Sequence, residues 1–429
     1  MKGPPLRVTV LARAVTPLHG VGGLERSVRD LVKHLAERGV DVTLVVPPPR
    51  LNRDTGPDPF GTPHLKLRHV SYLALPFANR RGTTILDRSS AYLLYGERAG
   101  RLAASFVEAG QADIVHGFGA SALGYARRRQ RAGAPLVLNP QGLEEFGSTR
   151  DALPLMKRIA YAPLRWAVRR TSREADAIIA TDTALEPMVA RHLRPRPGQM
   201  RTIPNGIDLR DVSSMAGSAE GAILRQRHRI QPQDFVLLSV GRIEANKGFE
   251  DLAAALGQVT QPGAALAAVP WRWVIVGAGP YQHSLEHAVD RAGLRENVVM
   301  AGRASDADLH AWYEAASVFA HPTRYEGSSL VTLEAMAHGK PVIATRAGGL
   351  PDKVFPGVNG WLVEPGDVGA LTAAISEAVA SELGPLGAAS RTIVERDFVW
   401  TRLVDRHIEL YEELVASTSR RGSRAGGGR

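Results

Sequence analysis

Two glutamates with seven residues between them stand in the stretch of the sequence whose chemistry is easiest to anticipate. Glu326 lies in a loop behind the apolar run Val318–His321, and Glu334 lies in the helical pattern that follows. The small residues between them would leave backbone N–H groups open to an anion at the start of the helix. At 1.5 Å per residue, Glu334 would lie roughly 7–8 Å along that helix, within reach of a ribose attached to a bound diphosphate. A capping acid and a solvent-exposed helix glutamate would explain the same spacing.

Two other loops carry residues suited to phosphate. Arg242 and Lys247 follow the apolar run Phe235–Val240, and cations at the carboxyl end of a parallel strand point into the crevice where α/β folds bind ligands. Gly22 and Gly23 precede a helical pattern, where glycines let the backbone approach a ligand. Taken singly, the first loop is also compatible with two solvated cations and the second with a structural turn.

Several other kinds of site are excluded or disfavoured. Gly339-Lys340 is followed by Pro341, so there is no phosphate-binding loop of the Walker type. Gly277-Ala278-Gly279 begins like a dinucleotide fingerprint, but Gln282 stands at the third glycine position. Asp306-Ala307-Asp308 resembles a metal-binding pair, yet acids at this point are typical of a helix N-terminus. We therefore expect neither a metal nor another cofactor.

The elements that must position these residues alternate between strands and helices in both halves of the chain. Short runs rich in Val and Ile, with little polar alternation, are typical of buried parallel strands. Helical patterns such as residues 24–38, which end before Gly39, separate them. The sequence predicts an α/β fold with two doubly wound domains. The predicted strands span residues 7–12, 41–46, 66–70, 113–116, 135–139, 177–181, 235–240, 273–276, 297–301, 318–321, 341–345 and 360–363.

We place the domain boundaries by composition. The first domain should span residues 1–212 and the second 213–398, with the junction opening at Pro204-Asn205-Gly206. A last helix over 399–416 should return to the first domain, and 417–429 should form a disordered basic tail.

Composition narrows the class of protein further. The chain has 429 residues and no cysteine, which excludes disulfide scaffolds, thiolate metal sites and a cysteine nucleophile. It has no run that predicts a membrane-spanning helix or a signal peptide, so a cytoplasmic location is expected. The formal charge is +10, and residues 1–212 alone contain 32 Lys and Arg against 19 Asp and Glu, which is +13.

Together these stretches resemble the retaining glycosyltransferases of sequence family four, the group 1 glycosyl transferases, which have the GT-B fold of two Rossmann-like domains facing a cleft. The matching pieces occur in the family's order along nearly the whole chain. They are Gly22-Gly23-Leu24-Glu25, Ala112-Asp113-Ile114-Val115-His116, Ile203-Pro204-Asn205-Gly206-Ile207-Asp208, Val240-Gly241-Arg242 with Lys247-Gly248, Ile275-Val276-Gly277-Ala278-Gly279-Pro280, Glu326-x7-Glu334 and Gly348-Gly349-Leu350-Pro351.

The resemblance implies a role for each candidate residue. Arg242 and Lys247 would neutralise the donor diphosphate, and His116 would lie near the reacting sugar. Glu326 would hold hydroxyls of the donor sugar, while Glu334 would bind the nucleotide ribose. The expected catalytic residues are Glu326, Arg242, Lys247 and His116, and the expected donor-binding residues are Gly22, Gly23, Arg303 (near the base), Gly327, Ser328, Ser329, Leu330 and Glu334.

The implied function is transfer of a sugar from a nucleoside diphosphate sugar, with a UDP-sugar first and GDP-mannose second. The acceptor would be a hydroxyl of a glycan, a glycolipid or a small molecule. Two departures from the family pattern fall on the acceptor side, Phe118 in place of a second histidine and Gln141 in place of another. The alternatives are an inactive nucleotide-sugar-binding protein, a related epimerase or phosphorylase, and a nucleic-acid-binding protein suggested only by the basic charge; no nucleic-acid partner is expected.

A basic stretch of the first half raises a separate question of location. Arginines and lysines at 157, 158, 165, 169, 170 and 173 surround Ile159, Leu164 and Trp166, and Arg127-Arg128-Arg129-Gln130-Arg131 adds a second basic run. Cations and a tryptophan suit an anionic membrane surface. The sequence therefore predicts peripheral binding to the cytoplasmic membrane face. An arginine-rich soluble surface with Trp166 in the core remains the alternative.

Overall fold

The computed structural model describes residues 4–20, 22–49, 60–72, 84–141, 143–147 and 155–426. They form two compact units: Met1–Asn205 together with Trp400–Arg429, and Gly206–Val399. The division therefore falls at Asn205, before the predicted boundary at 212. The reason is that Ile207 and Val212 are buried in the hydrophobic core of the second unit.

The first unit is built on a seven-stranded parallel sheet in the order β3-β2-β1-β4-β5-β6-β7. Its strands are β1 Arg7–Leu11, β2 Asp41–Val46, β3 Leu65–His69, β4 Ile114–Phe118, β5 Leu136–Asn139, β6 Ala177–Ala180 and β7 Met200–Thr202. Its helices are α1 Gly23–Glu37, α2 Thr84–Glu108, α3 Leu123–Ala126, α4 Arg129–Ala132, α5 Leu155–Ala160, α6 Ala162–Glu174 and α7 Glu186–Leu193, joined at the end of the chain by α16 Trp400–Gly426.

Both faces of this sheet are covered by helices, as continuous apolar strands require. On one face, residues of α1 and α16 pack against alternate residues of β1 and β4, such as Val10 and Ile114. On the other face, α2, α3, α6 and α7 pack against the residues between, such as Leu11 and Val115.

Helix α16 belongs to the first unit although it follows the second in sequence. Its buried residues include Trp400, Leu403, Val404 and Tyr411, which share a core with α1 and β4. We predicted that the last helix ends at 416, whereas α16 continues to Gly426. The segment after residue 416 contains no proline, and its arginines and alanine are good helix formers.

The second unit contains a six-stranded parallel sheet in the order β10-β9-β8-β11-β12-β13. Its strands are β8 Phe235–Val240, β9 Trp271–Val276, β10 Val298–Gly302, β11 Val318–His321, β12 Val342–Thr345 and β13 Gly360–Val363. Its helices are α8 Leu209–Met215, α9 Ser218–Arg227, α10 Phe249–Val259, α11 Gln282–Arg291, α12 Asp306–Ala315, α13 Leu330–Ala337, α14 Val368–Ala380 and α15 Leu383–Asp397. The predicted α/β class with two Rossmann-like sheets is confirmed.

The carboxyl ends of the central strands are brought close together by glycines. A Cβ on Gly277 would collide with the carbonyl group of Gly241, and one on Gly279 with that of Ile243. The loop after β9 thus packs backbone to backbone on the loop after β8, which carries Arg242 and Lys247. Among the residues that the structure describes, no helix is long and apolar enough to cross a membrane.

Candidate functional site

The site in the second unit is centred on a lysine and a glutamate from neighbouring strands. Strands β8 and β11 pair in parallel, and Lys247 and Glu326 stand in the loops that follow them. Lys247 Nζ donates a hydrogen bond of 2.8 Å to Glu326 Oε2. Both side chains are 16% exposed, so the pair is mostly sheltered but still open to a ligand.

A histidine completes this centre. His321 is the last residue of β11, and its Nε2 lies 2.8 Å from the same Glu326 Oε2 that receives Lys247. Its side chain is fully buried, and its Nδ1 has no hydrogen-bond partner among the described residues. The other carboxylate oxygen, Oε1, accepts from the backbone N–H of Gly327 at 3.2 Å.

The electrostatics of the centre keep Glu326 charged. Burial on its own would raise the pKa of the Glu326 carboxyl, but the charge of Lys247 and the hydrogen bonds from His321 and Lys247 outweigh it and leave the pKa below its ordinary value. Burial lowers the pKa of the His321 ring; its hydrogen bond to Glu326 opposes that effect and the Lys247 charge adds to it. At neutral pH the centre therefore contains an ammonium group, a carboxylate and a neutral imidazole.

The loop that carries Lys247 is tied to the loop that carries Glu326. The carbonyl of Asn246 accepts from the Arg324 N–H at 2.7 Å and from Thr323 Oγ1 at 3.0 Å. Arg324 also holds Asp251 of α10 through two hydrogen bonds of 2.9 and 2.6 Å. Gly248 has a φ of +66°, and a Cβ there would collide with the carbonyl of Pro322. These contacts fix the Lys247–Glu326 distance from both sides.

The turn at Gly348-Gly349 packs against the backbone of Glu326 and Gly327. Gly348 has a φ of +53°, and a Cβ there would collide with the carbonyl of Glu326. The Gly349 N–H donates to the Gly327 carbonyl at 2.9 Å. Lys353, whose side chain is buried, donates to the Gly349 carbonyl at 3.0 Å. The motif Gly348-Gly349 is thus explained by close backbone approach to the site loop.

The predicted anion-binding segment opens α13. The helix begins at Leu330 rather than near Ser328, and Ser329 is its N-cap, accepting from the Thr332 N–H. In the described chain, the backbone N–H groups of Ser328, Ser329 and Leu330 donate no hydrogen bond, as is usual at a helix start. Ser328 Oγ is buried and likewise lacks a partner within the described ranges. Four polar groups at one point are therefore free for an anion.

Glu334 is held inside the second unit. Its side chain is almost fully buried, and Tyr313 of α12 donates a hydrogen bond of 2.9 Å to Glu334 Oε2. The alternative of a solvent-exposed helix glutamate is therefore wrong, and so is that of Glu326 as a capping acid, since Ser329 caps α13. The carboxylate of Glu334 is therefore buried and hydrogen-bonded rather than solvated.

Two predicted cations lie outside the centre. Arg242 is 67% exposed and pairs with Glu244 at 2.7 Å instead of contacting Glu326. Arg303 is exposed directly after β10. The structure thus joins Lys247 to Glu326 and leaves both arginines at the surface of the second unit.

Asp306 and Asp308, the pair that resembles a metal-binding motif, lie at the start of a helix. Asp306 and Asp308 lie in the first turn of α12, and Ser305 Oγ accepts from the Asp308 N–H at 3.1 Å, so this stretch caps a helix. The described ranges contain no group of three or more His, Cys, Asp or Glu side chains that could hold a metal ion.

The prediction for His116 needs correction. It lies within β4 under helix α16, where Nδ1 meets Tyr411 Oη at 2.6 Å and the ring stacks on Phe118 at 4.9 Å. Its side chain is fully buried, and burial, followed by the charge of His407, holds its pKa well below the usual value. His116 is therefore a core residue of the first unit and cannot touch a sugar where it stands. The sequence pattern showed the strand but not the helix that covers it.

Gly22 and Gly23 stand where they were predicted, at the start of α1. Gly22 is the N-cap, and Gly23 has open space around the position of a Cβ. His321 and Tyr313 are the two residues that the sequence analysis missed. A histidine at the end of the strand preceding Glu326 was the available signal for the first, whereas nothing in the sequence pointed to the second.

The surface of the first unit carries the exposed apolar residues of the basic stretch. Ile159 and Trp166 are 61% and 50% exposed, and Leu155 is also exposed, so the alternative that places Trp166 in the core is wrong. Leu164 is buried. Arg127 lies over the Trp166 ring at 5.6 Å, although it also pairs with Glu97 at 3.2 Å.

Both halves of the chain match known protein families. Residues 21–211 match the family model "Glycosyltransferase Family 4" and residues 222–392 match "Glycosyl transferases group 1". A D-inositol 3-phosphate glycosyltransferase of Mycobacterium sp. (strain KMS) is 30% identical over 85% of this chain and 81% of its own length. This chain belongs to glycosyltransferase family 4. It is therefore a glycosyltransferase, as the sequence predicted.

Other relatives of this glycosyltransferase differ in how much they cover. A GDP-mannose-dependent alpha-(1-6)-phosphatidylinositol monomannoside mannosyltransferase of Mycolicibacterium smegmatis is 30% identical over 57% of the chain and 66% of its own length. Sucrose-phosphate synthase from Thermosynechococcus elongatus superposes with a TM-score of 0.75 at 24% identity, covering 96% of this chain and all of that one. The GT-B fold is thereby confirmed.

Proposed function

We propose that this glycosyltransferase takes a sugar from a nucleoside diphosphate sugar and transfers it, with retention of anomeric configuration, to a hydroxyl group. The observation that carries the proposal is the Lys247–Glu326 pair, 2.8 Å apart beside the free N–H groups at the start of α13. A cation and unpaired amides suit a diphosphate, and an ionised carboxylate suits sugar hydroxyls.

The same arrangement explains how the leaving group would be stabilised. Negative charge grows on the diphosphate as the glycosidic bond breaks, and the ammonium group of Lys247 would stabilise it in a sheltered site. The N–H groups of Ser328, Ser329 and Leu330 would add fixed dipoles. Arg242, exposed beside the same loop, would supply a second cation, so no metal is needed.

Donor recognition would extend along α13. Glu334, held by Tyr313, would accept the ribose hydroxyls, and Arg303 would lie near the base. A UDP-sugar is our first candidate because such donors are common in the family. GDP-mannose is the second, because the mannosyltransferase relative is named as dependent on it.

The acceptor would carry a negative charge. Residues 1–212 have an excess charge of +13, and two relatives are named for inositol phosphate or phosphatidylinositol acceptors. A basic first unit would attract such acceptors. We propose a phosphate-bearing acceptor, free in solution or presented on a lipid.

A membrane-presented acceptor would also account for the exposed residues Leu155, Ile159 and Trp166, which lie among arginines on α5 and α6. Each Arg or Lys near an anionic leaflet contributes about 1 kcal/mol. We expect reversible binding at the cytoplasmic membrane face. Co-sedimentation with vesicles of anionic or neutral lipid tests this. Trp166→Ala should weaken binding to the anionic vesicles. The matched control is Ile223→Ala, which changes a similarly exposed residue of the second unit and should leave binding unchanged. Equal binding to both vesicles at low salt would contradict the expectation.

The test of the proposed reaction is a donor screen followed by product analysis. UDP, GDP and ADP sugars are ranked by the rise in melting temperature, since a bound ligand stabilises the fold by mass action. The donor selected is incubated with inositol phosphate and phosphatidylinositol acceptors, and proton NMR gives the anomeric configuration of the product. An inverted product would refute the retaining mechanism. Binding of a donor without transfer or hydrolysis would favour the alternative of an inactive nucleotide-sugar-binding protein.

A further inference from the structure

A fully buried histidine shares one carboxylate oxygen of Glu326 with Lys247, and no role has yet been assigned to it. His321 Nε2 and Lys247 Nζ each lie 2.8 Å from Oε2, so this oxygen has two donors. Oε1 has only the Gly327 N–H, at 3.2 Å, among the described residues. The two oxygens of Glu326 are therefore unlike: Oε2 is anchored in the protein, and Oε1 has room for another donor.

The tautomer of His321 follows from its partner. An ionised carboxylate can only accept, so Nε2 must carry the proton. The ring is buried and its pKa is lowered, first by burial, which leaves it neutral near pH 7 and Nδ1 without a proton. Nδ1 has no hydrogen-bond partner in the part of the chain that the structure describes. Among the described residues, the neutral ring of His321 therefore makes one hydrogen bond, to Glu326 Oε2.

Two neighbours fix the ring in place. Phe319 stacks on it with ring centroids 5.7 Å apart and planes 15° apart. Pro322 follows directly, and its carbonyl packs against Gly248. A side chain held in this way can orient a carboxylate without moving itself.

We infer that His321 is a positioning residue that anchors Glu326 Oε2 so that Oε1 faces the hydroxyl groups of the donor sugar. This inference rests on the proposed function of Glu326. Lys247 cannot provide the anchor alone, because the donor diphosphate would compete with Glu326 for its ammonium group. His321 is neutral and carries no charge for which the diphosphate could compete, so it keeps the carboxylate in place when the donor is bound.

Two amide substitutions separate positioning from packing. Glutamine places its N–H about as far from the backbone as Nε2 of histidine, whereas asparagine reaches only as far as Nδ1. His321→Gln can therefore still donate to Oε2, and His321→Asn cannot. Both introduce the same chemical group into the same buried position.

The expected result is a change in turnover rather than in nucleotide affinity. In His321→Asn, kcat for the selected donor should fall about tenfold to hundredfold, as for a misplaced catalytic group. The Kd of the nucleoside diphosphate, which lacks the sugar, should stay within about twofold of the wild-type value. His321→Gln should recover most of the lost turnover. Equal losses in both variants, or an equally weakened nucleoside diphosphate, would overturn the inference.

A measurement without substrate keeps the inference testable if no donor is found. Nitrogen-15 NMR distinguishes the two neutral tautomers of histidine, and the spectrum of His321→Gln identifies the signals of residue 321. The N–H must be on Nε2 at pH 7. A charged ring or an N–H on Nδ1 would refute the anchoring hydrogen bond. A wild-type protein that binds no nucleotide sugar, but shows the Nε2 tautomer, would instead refute the proposed function.

Discussion

Helix α16 of this glycosyltransferase should pack less stably against the rest of the first unit as the pH falls. His407 is buried, its Nδ1–H donates to the Leu403 carbonyl at 2.8 Å, and its ring centroid lies 6.1 Å from those of His116 and Trp400. Burial lowers its pKa from 6.5 to about 4; the Leu403 hydrogen bond opposes this and the charge of Arg406 adds to it.

The sign and size of the effect follow from linkage. Between pH 4 and 6.5 the undocked state binds a proton at His407 and the docked state does not, so the stability of docking rises with pH in this window. The contribution of His407 to this stability is fully present above pH 6.5 and decreases as the pH falls towards 4. Each pH unit is about 1.4 kcal/mol, so His407 alone should cost about 2 kcal/mol between pH 7.5 and pH 5.

Hydrogen–deuterium exchange of peptides from α16, corrected for the intrinsic rate, measures the free energy of its opening at each pH. His407→Gln removes the titrating group. Between pH 7.5 and pH 5, its free energy of opening should therefore fall by about 2 kcal/mol less than that of the wild type. The control is His283→Gln, which changes an exposed histidine of α11 and should follow the wild type. The same acid dependence in wild type and His407→Gln would refute the reasoning.

The remaining predictions concern the second unit. Gly348→Ala should destabilise it more than Gly357→Ala, because both glycines have a positive φ but only the former would drive a Cβ into the carbonyl of Glu326; melting temperatures compare them. Tyr313→Phe removes the hydrogen bond to Glu334 and should raise the donor KM by roughly fivefold to tenfold, about 1 kcal/mol, which initial rates measure. Transfer should persist in EDTA, and a loss reversed by Mg²⁺ or Mn²⁺ would contradict a metal-free mechanism.

The sequence predicted the sheets well because their strands are continuous apolar runs. Asp41–Val46, Phe235–Val240, Val318–His321 and Gly360–Val363 have the predicted bounds, and eight further strands agree to within two residues. Strand β7, Met200–Thr202, was missed because it is short, polar in part and at an edge of the sheet. The last helix extends beyond its predicted end at 416, because the segment that follows, although rich in serine and glycine, also contains good helix formers.

The site was predictable where it depends on local sequence. Lys247 and Glu326 each follow a strand that the sequence predicted, and the family resemblance assigned both to the donor; their strands, β8 and β11, are neighbours in the sheet. The positions of Arg242 and His116 were not predictable in this way. Arg242 has a nearby acid, Glu244, that the loop conformation places 2.7 Å away. His116 is covered by Tyr411, which is far away in sequence, and no local pattern reports such a contact.

The most direct test of the central claim is the turnover of the selected nucleotide sugar by Glu326→Gln. This variant keeps the shape of the side chain and removes its charge. We predict at least about a hundredfold loss of kcat in a protein that is still folded at the assay temperature, which its melting curve verifies. Glu377→Gln, at an exposed position of α14, is the matched control and should keep full activity. Near-normal turnover by Glu326→Gln would contradict the claim that the Lys247–Glu326 pair is the centre of the donor site.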